Sequence, residues 1–262
     1  MALNSKLFNP SLYKTIRSVW FADVPEFSFS APEAAAKRWW GFGTKEEKAA
    51  FDNTCHTNFR EALESIGPSK YDLPTEKGYA SEKQLAPALA KPFLEEIEKT
   101  QPPDSPASTA LSLFILLDQM PRNIFRDNQK VIYSHYDRLS RALIYTMLSS
   151  SPPETTRWDL DPLYRYNYVY RSWFYMPLMH SENIENHEQM LALQDSQLED
   201  CSEKGGDEAR NYVTEQRKFE VLHFDLVKRF GRYPHRNGVL GRQPTKEEED
   251  FLSSGGATFG TG

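Results

Sequence analysis

Three strings in the sequence hold residue types that could do chemistry. In "LLDQMPRNIFRD", Asp118, Gln119, Arg122 and Asn123 fall within six positions at the end of an apolar run. A carboxylate in the last turn of a helix opposes the partial negative charge of the helix dipole, so Asp118 needs a cation, and Arg122 or Arg126 is at hand. Those residues either brace the chain around Pro121 with a buried ion pair or form the wall of a polar pocket. In "MPLMHSEN", His180, Ser181 and Glu182 stand between an apolar segment and the next helix. Ser181 suits a cap and Glu182 a first helical turn, while the His-x-Glu spacing could supply an acid–base pair. The third string, "FGRYPHRNGVLGR", lies in the twenty-one residues 226–246, which hold six Lys or Arg and no carboxylate in a chain of net charge −6. Like charges so close repel, and nearby carboxylates or a bound anion relieve that. Arg outnumbers Lys there four to two, as suits planar bidentate pairing with carboxylate or phosphate.

From these strings Asp118, His180, Glu182 and His235 are the candidate acid–base residues. Gln119, Arg122, Asn123, His223, Arg232, Arg236, Asn237 and Arg242 are the candidate ligand contacts. His223 lies beside an apolar helix face, where a histidine is more often a satisfied core residue. The expected arrangement has the third string folded over the helix ends carrying Asp118 and Glu182, with His180, His235 and Arg236 around one cavity.

The elements that must position these groups are helical almost throughout. "TKEEKAAFDNTCHTNFREALESIG" opens with Thr44 and has Glu47 three residues on, a capping box, and Phe51, Cys55, Phe59 and Leu63 form its stripe. "EKQLAPALAKPFLEEIEK" reads as a weaker helix interrupted by Pro87 and Pro92. "ASTALSLFILLDQ" is apolar nearly all round and predicts a buried central helix. "VIYSHYDRLSRALIYTML" is amphipathic, "YNYVYRSWFYMPLM" is dense in aromatics, and "SENIENHEQMLALQDSQLE" restarts at a Ser181 cap. The longest helix is expected over 208–230, with Phe219, Leu222, Leu226 and Phe230 inward and Gly231 as its stop. A last short helix starts at Thr245, with Glu248 in the capping-box position. Loops are expected at 101–106, 149–156 and 202–209, and no stretch alternates as a strand would. The fold class is therefore all-α: one domain over 1–252 and a flexible tail over 253–262.

Composition narrows the function classes. A chain of 262 residues with 39% hydrophobic and 13% aromatic side chains can build a sizeable core or a lined cavity. The pI near 5.6 speaks against nucleic acid as a partner, because phosphates would meet acidic flanks. The longest apolar run, "LFILL", is far shorter than a membrane span of roughly 20 residues, and the N-terminus lacks the apolar core of a signal peptide. Two cysteines, Cys55 and Cys201, are expected reduced and unpaired in a cytoplasmic protein. The histidines and cysteines lack the close pairing of a zinc site, so no structural zinc is expected, and no cofactor is singled out.

"LLDQMPRNIFRD", "MPLMHSE" and "RFGRYPHRNGVLGR", the last followed by Thr245, Glu247 and Glu248, together resemble the signature segments of the family called domain of unknown function 924. Arg38, Trp39, Trp40 and Phe51 fit its weaker N-terminal pattern. The likeness runs in order along most of the chain. Met120 and Tyr233 depart from it, each where the family tends to have Phe. The resemblance implies a helical superhelix akin to tetratricopeptide repeats, built from antiparallel helix pairs, and it brings no activity. The family's marked positions fall on Asp118, Gln119, Pro121, Arg122, Asn123, His180, Ser181, Glu182 and His223. They continue at Gly231, Arg232, Pro234, His235, Arg236, Asn237, Gly241 and Arg242.

Because these polar positions concentrate at helix ends, the leading expectation is a polar pocket that binds a small anionic metabolite and transforms it by His and carboxylate acid–base chemistry. One alternative is a non-enzymatic scaffold that holds a protein partner's peptide on a concave helical face. Another is Mg²⁺-dependent chemistry on an isoprenoid-type diphosphate, suggested by the spacing of Asn53, Thr57 and Glu61. That triad precedes Asp118 in the chain, the reverse of the order such enzymes use, and no aspartate-rich pair accompanies it.

Overall fold

The computed structural model describes residues 3–149 and 157–259, and these form an all-α fold with no strand among them. The helices are α1 Pro10–Trp20, α2 Glu33–Trp40, α3 Lys45–Ser65, α4 Tyr79–Glu98, α5 Pro106–Asp118, α6 Met120–Ile124 and α7 Gln129–Val131. They continue as α8 Asp137–Ser149, α9 Tyr168–Arg171, α10 Met176–Met179, α11 Ile184–Glu203, α12 Gly206–Phe230 and α13 Lys246–Ser253. Most of the Pro-rich stretch 149–156 lies outside the described residues.

The centre is α5. Ser105 and Ser108 close a capping box at its start, Pro106 occupies the first turn, and every residue from Ala107 to Asp118 is buried. A helix apolar on all sides has no solvent face, and α1, α3, α4, α6, α8 and α10 accordingly pack around it. The other pairings are mostly between elements far apart in sequence: α1 on α5, α3 on α6, α4 on α8. Consecutive long helices pair directly at α11 and α12.

Three expectations about the elements change. The segment holding Pro87 and Pro92 is one helix, α4, not an interrupted one, because Ala86, Leu89, Ala90, Phe93 and Ile97 bury a continuous face against α5 and α8. That face outweighs the backbone bonds the prolines forgo. The polar stretch 202–209 is no long loop. Only Lys204 and Gly205 separate α11 from α12, and the turn depends on positive φ at Gly205 and Gly206. Cys201 therefore lies buried with Tyr168, Ala209 and Val213 rather than at a loop edge. Both cysteines are free.

The third change is the register of α12. Phe219 and Leu222 are exposed at 44% and 54%, not inward. Leu226 is buried as expected, but the rest of the buried stripe runs through Ala209, Val213, Gln216, Glu220, His223 and Val227, so this helix also turns polar side chains toward the molecule. Glu220 meets His187 of α11 at 2.6 Å, with both side chains fully buried, and the same imidazole reaches the Ser181 carbonyl at 2.9 Å. Burial holds the Glu220 carboxyl above the ordinary carboxylate range.

Candidate functional site

The three strings meet around a cavity of about 1250 Å³. That is larger than the roughly 300–1,000 Å³ of a usual small-molecule site. One wall is aromatic, with Trp39, Trp40 and Phe42 from the end of α2 and the turn after it, Phe51 of α3 and Phe219 of α12. Trp40 stacks on Phe219 with ring centroids 6.2 Å apart and on Trp173 at 5.7 Å. The opposite wall is polar: Gln119, Arg122, Asn123, Tyr133, His180, His223, His235 and Arg236.

Local backbone explains how those side chains reach one place. The last turn of α5 and the start of α6 follow each other directly across Gln119 and Pro121, which sets Asp118, Gln119, Arg122 and Asn123 along one bend. Ile132–Tyr136 forms a π-helical turn between α7 and α8, and its extra residue brings Ile132 and Tyr133 to the cavity while His135 and Tyr136 stay buried. Gly231 ends α12 with φ of +68°, after which Pro234–Arg236 makes a 3₁₀ turn that returns His235 and Arg236 over the polar wall.

At the polar wall, His180 Nδ1 lies 3.0 Å from Asp118 Oδ1. Asp118 is 1% exposed, accepts a bond from Gln119 Nε2 at 2.5 Å, and has Arg122 Nη2 at 3.6 Å. Its carboxyl is held below the ordinary range by the facing imidazole and guanidinium, against the opposing effect of burial. Burial, with Arg122 adding to it, also keeps His180 below the usual histidine value, so the imidazole is neutral near pH 7. Since Nδ1 faces a carboxylate that only accepts, the neutral ring carries its proton there. Its Nε2 bonds to no described residue.

Arg122 also donates to Asp137 Oδ1 at 2.7 Å. Asp137, the first residue of α8, is 1% exposed, and its other oxygen lies 4.0 Å from Arg236. Arg236 donates to the His180 carbonyl at 2.9 Å, and its guanidinium sits over Tyr133 at 4.3 Å and Tyr233 at 4.5 Å. Two cations, Arg122 and Arg236, are thus balanced by two carboxylates, Asp118 and Asp137. Arg122 Nε, Arg236 Nε, Asp137 Oδ2 and His235 Nδ1 are among the described buried polar atoms without a hydrogen-bond partner. Burial lowers His223 to about 3 and His235 to about 4, so both rings are neutral.

Five of the candidates line no part of the cavity: Asp118, which reaches it only through His180, and four others. Glu182 is clamped by Arg242 at 2.6 and 2.9 Å and by the Tyr233 N–H at 2.9 Å. Arg232 pairs bidentately with Glu248 at 2.6 and 2.8 Å, and the Asn237 carbonyl accepts from the Arg242 N–H at 2.8 Å. These contacts hold the third string in place and leave Glu182, Arg232, Asn237 and Arg242 as wall bracing. Arg229 likewise pairs with Glu247 at 2.8 Å, so most of the acid-free stretch is neutralised by carboxylates from elsewhere in the chain. Arg126, the other cation near Asp118 in sequence, instead pairs with Asp52 at 2.6 Å. Asn53, Thr57 and Glu61 are exposed on α3 and do not line the cavity.

Asp137, Tyr133 and the aromatic wall were missed by the sequence reading. Asp137 falls inside a segment that reads only as an amphipathic helix, and nothing local marks its burial. The pair Trp39–Trp40 was a visible signal, because two adjacent tryptophans on a short helix cannot both face the core.

The fold and site together define an all-helical protein built around one large cavity with a buried Asp–His pair in its polar wall. The chain belongs to the family described as bacterial protein of unknown function (DUF924), whose model matches residues 16–256. It is also similar to a solved structure from Agrobacterium tumefaciens, the protein of unknown function ATU0120. The identity is 26% and the TM-score 0.55, over 93% of this chain and 98% of that one. No curated protein matches the chain.

Proposed function

We propose that the cavity binds a small anionic metabolite and that His180 acts on it as a general base. The observation that carries this is the buried Asp118–His180 pair at 3.0 Å, which fixes the proton on Nδ1 and leaves a neutral Nε2 for a ligand. Asp118 orients the imidazole and would stabilise the imidazolium formed when Nε2 takes a proton. Arg236 and Arg122 would stabilise negative charge developing on the ligand.

The described lining includes no Ser, Thr or Cys. This favours direct proton abstraction, or activation of a water, over attack by a protein hydroxyl or thiol. A repeat-like scaffold would need no cavity-facing base, and the pocket is therefore the reading we adopt. Two free buried thiols suit the cytoplasm, the compartment we assign.

A thermal-shift screen of carboxylated and phosphorylated metabolites tests the reading, since a ligand binding only the native state stabilises it by about 2.7 kcal/mol at one hundred times its Kd. Hits should be turned over by the wild type and bound but not turned over by His180→Gln. Hits that stabilise Arg236→Ala and His180→Gln as well as the wild type, with no turnover by any of them, would contradict it.

A further inference from the structure

Part of the cavity beside the polar wall is already filled, and by the chain itself. Phe259 lies within the cavity lining, its ring stacked on the His223 imidazole at 3.6 Å and 17°. It meets Tyr233 edge-on at 5.9 Å and His235 edge-on at 6.0 Å. These three rings make a flat-ring seat, with the neutral imidazole of His223 as its floor and Tyr233 and His235 at its edges. The residue adopts φ of +48°, a conformation uncommon and unfavourable for a bulky non-glycine residue, and the ring contacts are what offset it.

The slot adjoins the cation. Tyr233, which forms one side of the slot, also lies under the Arg236 guanidinium at 4.5 Å, and Arg236 is bonded to the His180 carbonyl. A ring held where Phe259 now sits would thus have the guanidinium about one aromatic side chain away, in the same cavity that His180 lines. We infer that the ligand of this cavity is an anion carrying a flat aromatic ring, and that Phe259 occupies the ring's place until the ligand displaces it. The inference rests on the anion-binding reading above and narrows it to a ligand class.

The slot explains a feature the anion reading leaves aside. His223 is buried and neutral, donates Nδ1–H to the Phe219 carbonyl at 2.7 Å, and turns a ring face to Phe259. Neutral faces stack rings in offset geometry. His223 is accordingly assigned to ring binding, and His180, whose Nδ1 is held by a carboxylate, to the proton transfer.

Calorimetric titration of the full chain tests this with phenyl phosphate and phenylacetate against butyl phosphate and butyrate, on wild type and Phe259→Ala. Phe259 is only half-buried, and melting curves read alongside establish that the variant is folded. Phenyl phosphate or phenylacetate is expected to bind Phe259→Ala at least tenfold tighter than its butyl counterpart does, and at least tenfold tighter than it binds the wild type. Quenching of the Trp39 and Trp40 fluorescence should report the same titration. Equal affinities for phenyl and butyl anions in Phe259→Ala would overturn the ring slot while leaving the anion reading in place. Failure of all four anions to bind either chain would remove the anion reading and this inference with it. Should Phe259→Ala not fold, Phe259→Leu replaces it; there the phenyl preference must exceed that of the wild type, and a preference no larger overturns the slot.

Discussion

Removing Arg122 should be the most damaging single change at the polar wall. Its guanidinium gives Asp137 its hydrogen bond, at 2.7 Å, and faces Asp118 at 3.6 Å; both carboxylates are 1% exposed. In Arg122→Ala, Asp118 keeps His180 and Gln119, whereas Asp137 retains only Arg236 at 4.0 Å. Breaking a buried pair by deleting one partner costs about 3–5 kcal/mol. The residual Arg236 attraction puts this case near the lower end, about 3 kcal/mol. For a domain of this size that corresponds to a loss of about 6–12 °C in Tm. Urea denaturation should show the midpoint falling with the slope unchanged. Adding Asp137→Asn should restore part of the loss, since the stranded charge is then gone, and the double-mutant cycle should show coupling above about 1 kcal/mol. A loss below about 1 kcal/mol, the range of exposed ion pairs, or strictly additive effects would refute the buried-network account.

Acid should destabilise the protein in two stages. Burial lowers His223 to about 3 and His235 to about 4, so the unfolded chain binds their protons first; their stabilisation is complete above about pH 6.5 and is lost as pH falls toward 4 and then 3. A His223→Asn, His235→Asn chain should show a flatter urea midpoint across that range. Arg232 holds Glu248 down to about 2, so its contribution is present above about pH 4.5 and lost between there and 2; Glu248→Gln should remove that part of the acid limb. Cys55 and Cys201 are both buried, and burial pushes the Cys55 thiol up to about 12. A thiol reagent should therefore find neither in the native protein and both after denaturation.

How legible all this was in the sequence depends on what each residue's neighbours decide. The capping boxes at Thr44 and Thr245 are complete within four residues, and both form as expected. The buried α5 follows from its apolar composition alone. The α12 register was misread because apolar residues were assumed to face inward, yet that helix buries Gln216, Glu220 and His223 and leaves Leu222 in solvent. The partner of Glu220, His187 on α11, is thirty-three positions away. The acid-free stretch signalled carboxylate partners, and the expected Glu182 is one of them, held by Arg242; Glu247 and Glu248, which take Arg229 and Arg232, were not foreseen. Asp137 and Glu248 lie on helices whose burial is set by packing, and Glu182 proved to be the clamp of Arg242 rather than a base.

The central claim is that His180 presents a neutral, unprotonated Nε2 because Asp118 holds its proton on Nδ1. Long-range nitrogen-15 correlation spectra of histidine-labelled protein at pH 7, with His180 assigned by its absence in His180→Gln, read this directly. The predicted result is one proton on Nδ1 and a bare Nε2 that shifts on adding an anionic hit from the screen, with Asp118→Asn weakening the tautomer preference. An imidazolium at pH 7, a proton resting on Nε2, or an Nε2 signal unmoved by every anion that binds would contradict it.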